Sequence, residues 1–148
     1  MLNEYNTVAV DLEAVRVDVE NILKKFPQVA GAYLFGSSLG ACRPDSDIDI
    51  GLVLEDIKFG QREKALLEAE IRDSFYSFNG HHYDILLLDS DNPVFSFRVI
   101  KEGRLIYVRN LDRITDVMEQ VSRRYAESYP RYKAALQEII AGVIAHDH

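Results

Sequence analysis

AGAYLFGSSLGACRPDSDIDIGLVL, residues 30–54, reads as an apolar strand, a tight Gly-Ser turn, a polar connection, and a second apolar strand that opens with two acids. Asp47 and Asp49 stand two positions apart, so on a strand both carboxylates leave the same face. Two such groups facing a Gly-Ser turn repel one another unless a positive charge lies between them. A divalent metal carrying a polyphosphate satisfies the acids and the turn together.

Working outward, residues 11–26 place Leu12, Val15, Val19, Ile22, Leu23 and Phe26 on one helical face, and Pro27 stops the run. Residues 29–35 and 47–54 are the two strands of the central stretch, joined by a polar connection over 37–46. A second helix is expected over 61–78, with Leu67, Ile71, Phe75 and Phe78 along its stripe and Asn79-Gly80 as its C-terminal signal. Residues 82–88 form a third strand carrying one acid, Asp84. Asn92 and Pro93 open a helix that ends at Gly103, and residues 104–108 are a fourth strand. From Asn110 the pattern is helical, with Leu111, Ile114, Met118, Val121 and Tyr125 in one stripe. A last helix is expected to begin at Pro130 and to carry Tyr132, Leu136, Ile139, Ile140 and Val143. The expected fold is a mixed α/β (α+β) domain: a small mixed sheet packed by helices, residues 1–108, with a C-terminal helical extension, residues 109–148, of the same domain.

Composition narrows the function. The 148 residues carry 17 basic and 24 acidic side chains, a formal net charge of -7. That balance argues against sequence-independent binding of nucleic acid, which needs a basic stripe. Cys42 is the single cysteine, so no internal disulfide forms and a cytoplasmic location is expected. No secretory signal is visible at the N-terminus, and no apolar run approaches the ~20 residues needed to span a bilayer.

If the second and third strands are neighbours, Asp47, Asp49 and Asp84 meet at one edge of the sheet. Three carboxylates can hold two divalent ions of the kind that clamp an in-line phosphoryl displacement. Oxygen donors with phosphate completing the shell suit Mg²⁺ better than zinc. Gly36 lets the backbone approach a phosphate, while Ser37 and Ser38 offer a hydroxyl and N–H donors to its oxygens. Arg43 is a candidate phosphate ligand.

Gly36-Ser37, the nine residues 38–46, Asp47-Ile48-Asp49 and a later strand acid together resemble the signature of the DNA polymerase beta-like nucleotidyltransferases. Their small stand-alone members, the minimal nucleotidyltransferases, are the most similar. The flanks RPDSDID (43–49) and RVIKEGRLIY (98–107) also look like that group, and the likeness covers roughly residues 29–108. It implies that Asp47 and Asp49 bind both Mg²⁺ ions, and that Asp84 binds one and helps deprotonate the acceptor hydroxyl. It implies that Gly36 and Ser37 hold the triphosphate of a nucleotide, most often ATP, with attack on the α-phosphate and release of pyrophosphate. Many small members are antitoxins encoded beside a HEPN-domain RNase, and some transfer AMP to a tyrosine of that toxin. One departure stands out. Relatives usually carry an arginine after Gly-Ser, where this chain has Leu39 and Gly40, so the implied phosphate grip is weaker.

Other readings attach to the same residues. A catalytically weak antitoxin could occlude its partner through the C-terminal helices, which also offer a route to homo-oligomers. Nucleotidylation of a small aminoglycoside-type hydroxyl is a further alternative, although ~40 helical residues leave little room for an acceptor pocket. Asp89-Ser90-Asp91 reads as a turn, and His81 and His82 as loop residues beside the third strand. Tyr125, Tyr129 and Tyr132 suit either packing or docking. Cys42 has no visible partner that would make it a nucleophile.

Overall fold

The computed structural model describes residues 8–9, 11–36, 41–42, 47–56, 58, 60–78 and 80–146. Asp11 opens the first helix, α1 (Leu12–Leu23), by accepting hydrogen bonds from the N–H groups of Glu13 and Ala14 at 3.1 and 3.2 Å. The helix stops short of the expected residue 26, and Phe26 reaches the core from the following turn. Strand β2 (Val29–Phe35) then runs through the middle of the molecule and is followed by β4 (Ile48–Leu54). Two short strands were not anticipated: β1 (Val8–Ala9) pairs antiparallel with β3 (Ala41–Cys42), which lies inside the expected polar connection. Two-residue strands carry no periodicity from which to read them.

The main sheet has the order β5-β4-β2-β6, with β5 at Tyr83–Leu87 and β6 at Arg104–Val108. β2 is antiparallel to both its neighbours, whereas β4 and β5 are parallel. The parallel pair needs a crossover, supplied by helix α2 (Gln61–Ser74). The mixed sheet packed by helices therefore matches the expected fold class.

Helices cover both faces. On one, α1 and α2 bury Val15, Val19, Leu23, Leu67 and Ile71 against Leu34, Ile48, Ile50 and Leu52. On the other, helices α3 (Pro93–Glu102) and α4 (Leu111–His146) bury Val99, Ile114, Val117 and Val121 against Ala30, Tyr33 and Val53. A register shift between Val29 and Gly31 reverses the side-chain alternation of β2. The Ala30 carbonyl of that bulge accepts the N–H groups of Arg109 and Asn110, at 2.8 and 3.0 Å, just before α4 begins.

Two further expected boundaries move. Helix α2 ends at Ser74 rather than near residue 78, because Phe75 is already extended. From that backbone Phe75 packs edge-on against Tyr83, with centroids 4.9 Å apart. Phe78 pairs with His81 through two 2.8 Å backbone hydrogen bonds. Gly80, at φ +84, serves this tight turn instead of a helix C-terminus. The second correction concerns Pro130, which opens no new helix: α4 is continuous for 36 residues with the proline inside it. Proline removes one N–H donor, and the hydrogen bonds of the turns on either side carry the helix across.

Candidate active site

Parallel pairing sets Asp49 directly opposite Asp84, and Ile48 opposite Tyr83. Ile48 donates its N–H to the His82 carbonyl at 2.7 Å, which locks the starts of the two strands together. Alternation does the rest. Ile48, Ile50 and Leu52 point to the α1/α2 face, so Asp49 points to the α3/α4 face, as does Val53. Asp84 falls on the same side by the same count from Ile85. Asp47 immediately precedes β4 and shares the alternation of Asp49. The three acids expected to act together thus stand on neighbouring strand ends, with Asp47 and Asp84 exposed and Asp49 half-buried.

Antiparallel pairing brings the end of β2 to the same place, because Phe35 is opposite Asp49. The next residue, Gly36, has φ +77, a conformation that favours glycine. A β-carbon there would collide with the Asp49 Oδ2. The turn therefore lies directly against the carboxylate. Ser37, Ser38 and Arg43, the other expected phosphate ligands, lie outside the described residues.

Electrostatics agree with this crowding. Burial, then the charges of Asp84 and Asp47, push the Asp49 carboxyl from 3.8 up to about 6. Among the described residues the ion pairs lie elsewhere, for example Arg16–Glu13 at 2.6 Å, Lys64–Asp89 at 3.4 Å and Arg72–Glu68 at 3.3 Å. A divalent cation would reverse the penalty on Asp49, and hard carboxylate oxygens are the donors Mg²⁺ prefers. The donor set fits on chemistry. Among the described residues, no three His, Cys, Asp or Glu side chains are gathered closely enough to hold a metal ion by themselves.

The other singled-out residues have structural roles. Asp89 accepts the Asp91 N–H at 2.9 Å within its turn, and its own N–H donates to the Ser96 Oγ at 3.1 Å. That is the expected turn duty. His81 is buried rather than a loop side chain, and His82 is exposed. Tyr83 donates to the Asp18 Oδ2 at 2.6 Å, tying the start of β5 to α1; burial and this bond raise its phenol pKa. Tyr125 stacks on Phe97 with centroids 4.0 Å apart and planes 7° from parallel. The first ring of the tyrosine series therefore packs, whereas Tyr129 and Tyr132 are exposed.

Sequence reasoning missed a cavity of about 360 Å³ beside the Gly36 turn, lined by Phe35, Phe95, Arg98, Val99 and Glu102. No local sequence signal marks it, because Phe35 and Phe95 come from separate elements. A different cavity, about 250 Å³, lies at the far ends of β4 and β5 and is lined by Glu55, Lys64, Asp89 and Arg113, among others. It is remote from the acids.

The strand register sets acids beside a glycine turn, and comparison with known proteins gives the family. The family model described as polymerase beta, nucleotidyltransferase matches residues 18–112. The chain belongs to this nucleotidyltransferase family. A chain from the complex of tri-AMPylated Shewanella oneidensis HEPN toxin with MNT antitoxin is 19% identical, with a TM-score of 0.55 over 90% of this chain and 99% of that one. A chain from the toxin–antitoxin MntA-HepT is 18% identical, with a TM-score of 0.54 over 89% and 98%. One from a toxin–antitoxin structure with AMP-PNP is 22% identical, with a TM-score of 0.51 over 87% and 98%. At these identities the likeness concerns the fold. No curated protein matches the chain. Among the described residues, no helix is long and apolar enough to cross a membrane.

Proposed function

We propose that this chain is a cytoplasmic antitoxin that transfers AMP from ATP to a hydroxyl, a tyrosine of a HEPN-type toxin partner. The observation that carries this reading is the register of β4 against β5 and β2, which sets Asp49 beside Asp84 and under the Gly36 turn. The complexes formed by the similarly folded chains support the choice of partner and donor. In this reading Asp47 and Asp49 hold two Mg²⁺ ions and Asp84 holds one of them. Ions bound there would neutralise phosphate charge and favour attack at the α-phosphorus. Gly36, with Ser37, Ser38 and Arg43, holds the triphosphate. Asp84 takes the proton of the acceptor hydroxyl. The new bond joins that oxygen to the α-phosphorus, and the bond to the bridging oxygen breaks to release pyrophosphate. Residues 1–108 form the catalytic part and residues 109–148 its helical extension.

The test is label transfer from α-labelled ATP to a co-expressed HEPN-domain protein. Asp47→Asn and Asp49→Asn should each abolish it without loss of fold, and undiminished transfer by either variant refutes the mechanism. A second reading, occlusion without turnover, is favoured by one feature. The far part of α4 leaves Tyr129, Tyr132, Leu136, Ile139, Ile140 and Val143 exposed, an apolar stripe suited to a partner. Under that reading the double acid variant still neutralises the toxin, and removal of residues 125–148 abolishes neutralisation.

A further inference from the structure

We propose that Arg72 is a positioning residue for Asp84: from the last turn of α2 its guanidinium holds the edge strand that carries this acid. The inference rests on the enzyme reading of the acids and adds a residue that lies outside them. Asp47 and Asp49 stand at the start of β4, which lies between β5 and β2. Asp84 stands on β5, the outermost strand of the main sheet. An edge strand has a ladder on one side only, so its other row of backbone groups needs partners from elsewhere. Asp84 also faces Asp49 in register, and two like charges push their strands apart. The acid that most needs a fixed place is thus on the strand least held by the sheet.

Arg72 supplies the missing hold. Its Nε and Nη2 both donate to the Ile85 carbonyl, at 3.3 and 3.1 Å, two bonds from one rigid planar fork. The same end of α2 reaches the other neighbour of Asp84, because Phe75 packs edge-on against Tyr83. Tyr83 and Ile85 both belong to the α1/α2 layer, so the chain is gripped on either side of Asp84. The Asp84 side chain leaves from the opposite face, and Arg72 therefore acts on it only through the strand. The helix end is itself firm: Ile71 is fully buried, and Glu68, one turn back, pairs with the guanidinium at 3.3 Å. The Arg72 side chain is 49% exposed, so its truncation empties no space in the core. Without it, β5 is free to shift Asp84 against Asp47 and Asp49, while the Gly36 turn and the acids of β4 keep their places. The chemical step then suffers and the hold on the nucleotide does not.

The test measures the two separately: Mg-ATP affinity by titration calorimetry, and transfer from α-labelled ATP to the HEPN-domain protein in single turnovers at saturating nucleotide. Arg72→Ala should slow transfer by about tenfold or more, because a small misplacement of a reacting group is costly. Its Mg-ATP affinity should stay within about twofold of wild type. Arg72→Lys keeps a charge for Glu68 but offers no planar fork to the carbonyl, and should be slowed by about fivefold, again with the affinity unchanged. Glu68→Gln leaves both bonds to Ile85 and should transfer within about twofold of wild type. Wild-type transfer by Arg72→Ala overturns the assignment and leaves the enzyme reading standing. A loss of Mg-ATP affinity that matches the loss of rate also overturns it, since that marks a general role in the fold. If Arg72→Ala does not fold, Arg72→Lys decides by the same two measurements. Wild type that transfers nothing overturns the enzyme reading, and this inference with it.

Discussion

Replacing Asp49 with asparagine should abolish transfer and at the same time make the metal-free protein more stable. The carboxyl is driven from 3.8 to about 6 by burial and by Asp84 and Asp47. That displacement corresponds to at most about 3 kcal/mol against the ionised form. The group is only half-buried, and solvent screening brings the figure to about 1–2 kcal/mol. Because the folded-state value lies above the unfolded one, the folded protein binds more protons between about pH 4 and 6. Its contribution to stability is therefore complete below about pH 4 and lost as pH rises through about 6. Above pH 7 the wild type bears the full penalty, which the Asp49→Asn variant lacks. In chelator at pH 8 the variant should melt about 3–6 °C higher. At pH 4.5, still above the unfolded-state value, the gap should shrink to about half, and Mg²⁺ at pH 8 should raise the wild type alone. Thermal unfolding followed by circular dichroism measures all three. A variant that melts at or below the wild type at pH 8, or a gain undiminished at pH 4.5, refutes the account of the acid cluster.

Three further outcomes follow from other contacts. Gly36→Ala puts a β-carbon onto the Asp49 carboxylate at φ +77 and should cut transfer by about 100-fold, in single-turnover assays, because the turn and the acid can no longer share their positions. Tyr83→Phe removes the 2.6 Å bond to Asp18 and should cost about 1–1.5 kcal/mol in urea unfolding, with the aromatic packing on Phe75 retained. Ile139→Asp, on the exposed stripe of α4, should weaken binding of the proposed HEPN-domain partner by about tenfold or more with an unchanged melting temperature.

The parts that were legible from sequence are those in which one residue pattern admits one structure. Continuous apolar runs bounded by Gly36 and by the acid pair are consistent with buried strands, and the three acids on two such strands meet if the strands pair. Neither inference needed tertiary knowledge beyond adjacency. The β2 bulge was invisible because a register shift depends on what the neighbouring strand offers at Leu54 and Val53. The end of α2 was misplaced because Phe75 and Phe78 fit the helical stripe equally well, and only the packing of Phe75 on Tyr83 selects the extended backbone. The aromatic pocket escaped notice for a related reason. Phe35 and Phe95 are sixty residues apart, and nothing local relates one ring to the other.

Helix α4 presents the remaining physical question, namely what holds it beyond the domain. Its 36 residues span about 54 Å at 1.5 Å per residue. The longest strands beneath it have seven residues, or about 23 Å. The helix must therefore overhang the sheet whatever its sequence. Its apolar positions reflect that division. Leu111, Ile114, Met118, Val121 and Tyr125 keep alternating three- and four-residue steps, as do Tyr129, Tyr132, Leu136, Ile139 and Val143. Between Tyr125 and Tyr129 a second four-residue step follows the first, which rotates the outer stripe relative to the inner one. Burial changes at the same point: Val121 is fully buried, whereas Ile139 is 62% exposed. Pro130 falls just beyond this junction, where a missing hydrogen bond weakens a helix by about 3 kcal/mol. A free helical segment of this length is marginal in water. Amide exchange of the isolated protein should accordingly show strong protection from Ile114 to Tyr125 and little beyond Pro130, and a bound partner should extend protection to about Val143. Equal protection on both sides of Pro130 without a partner would mean that the outer helix stands by itself, and would remove the reason for assigning its apolar stripe to docking.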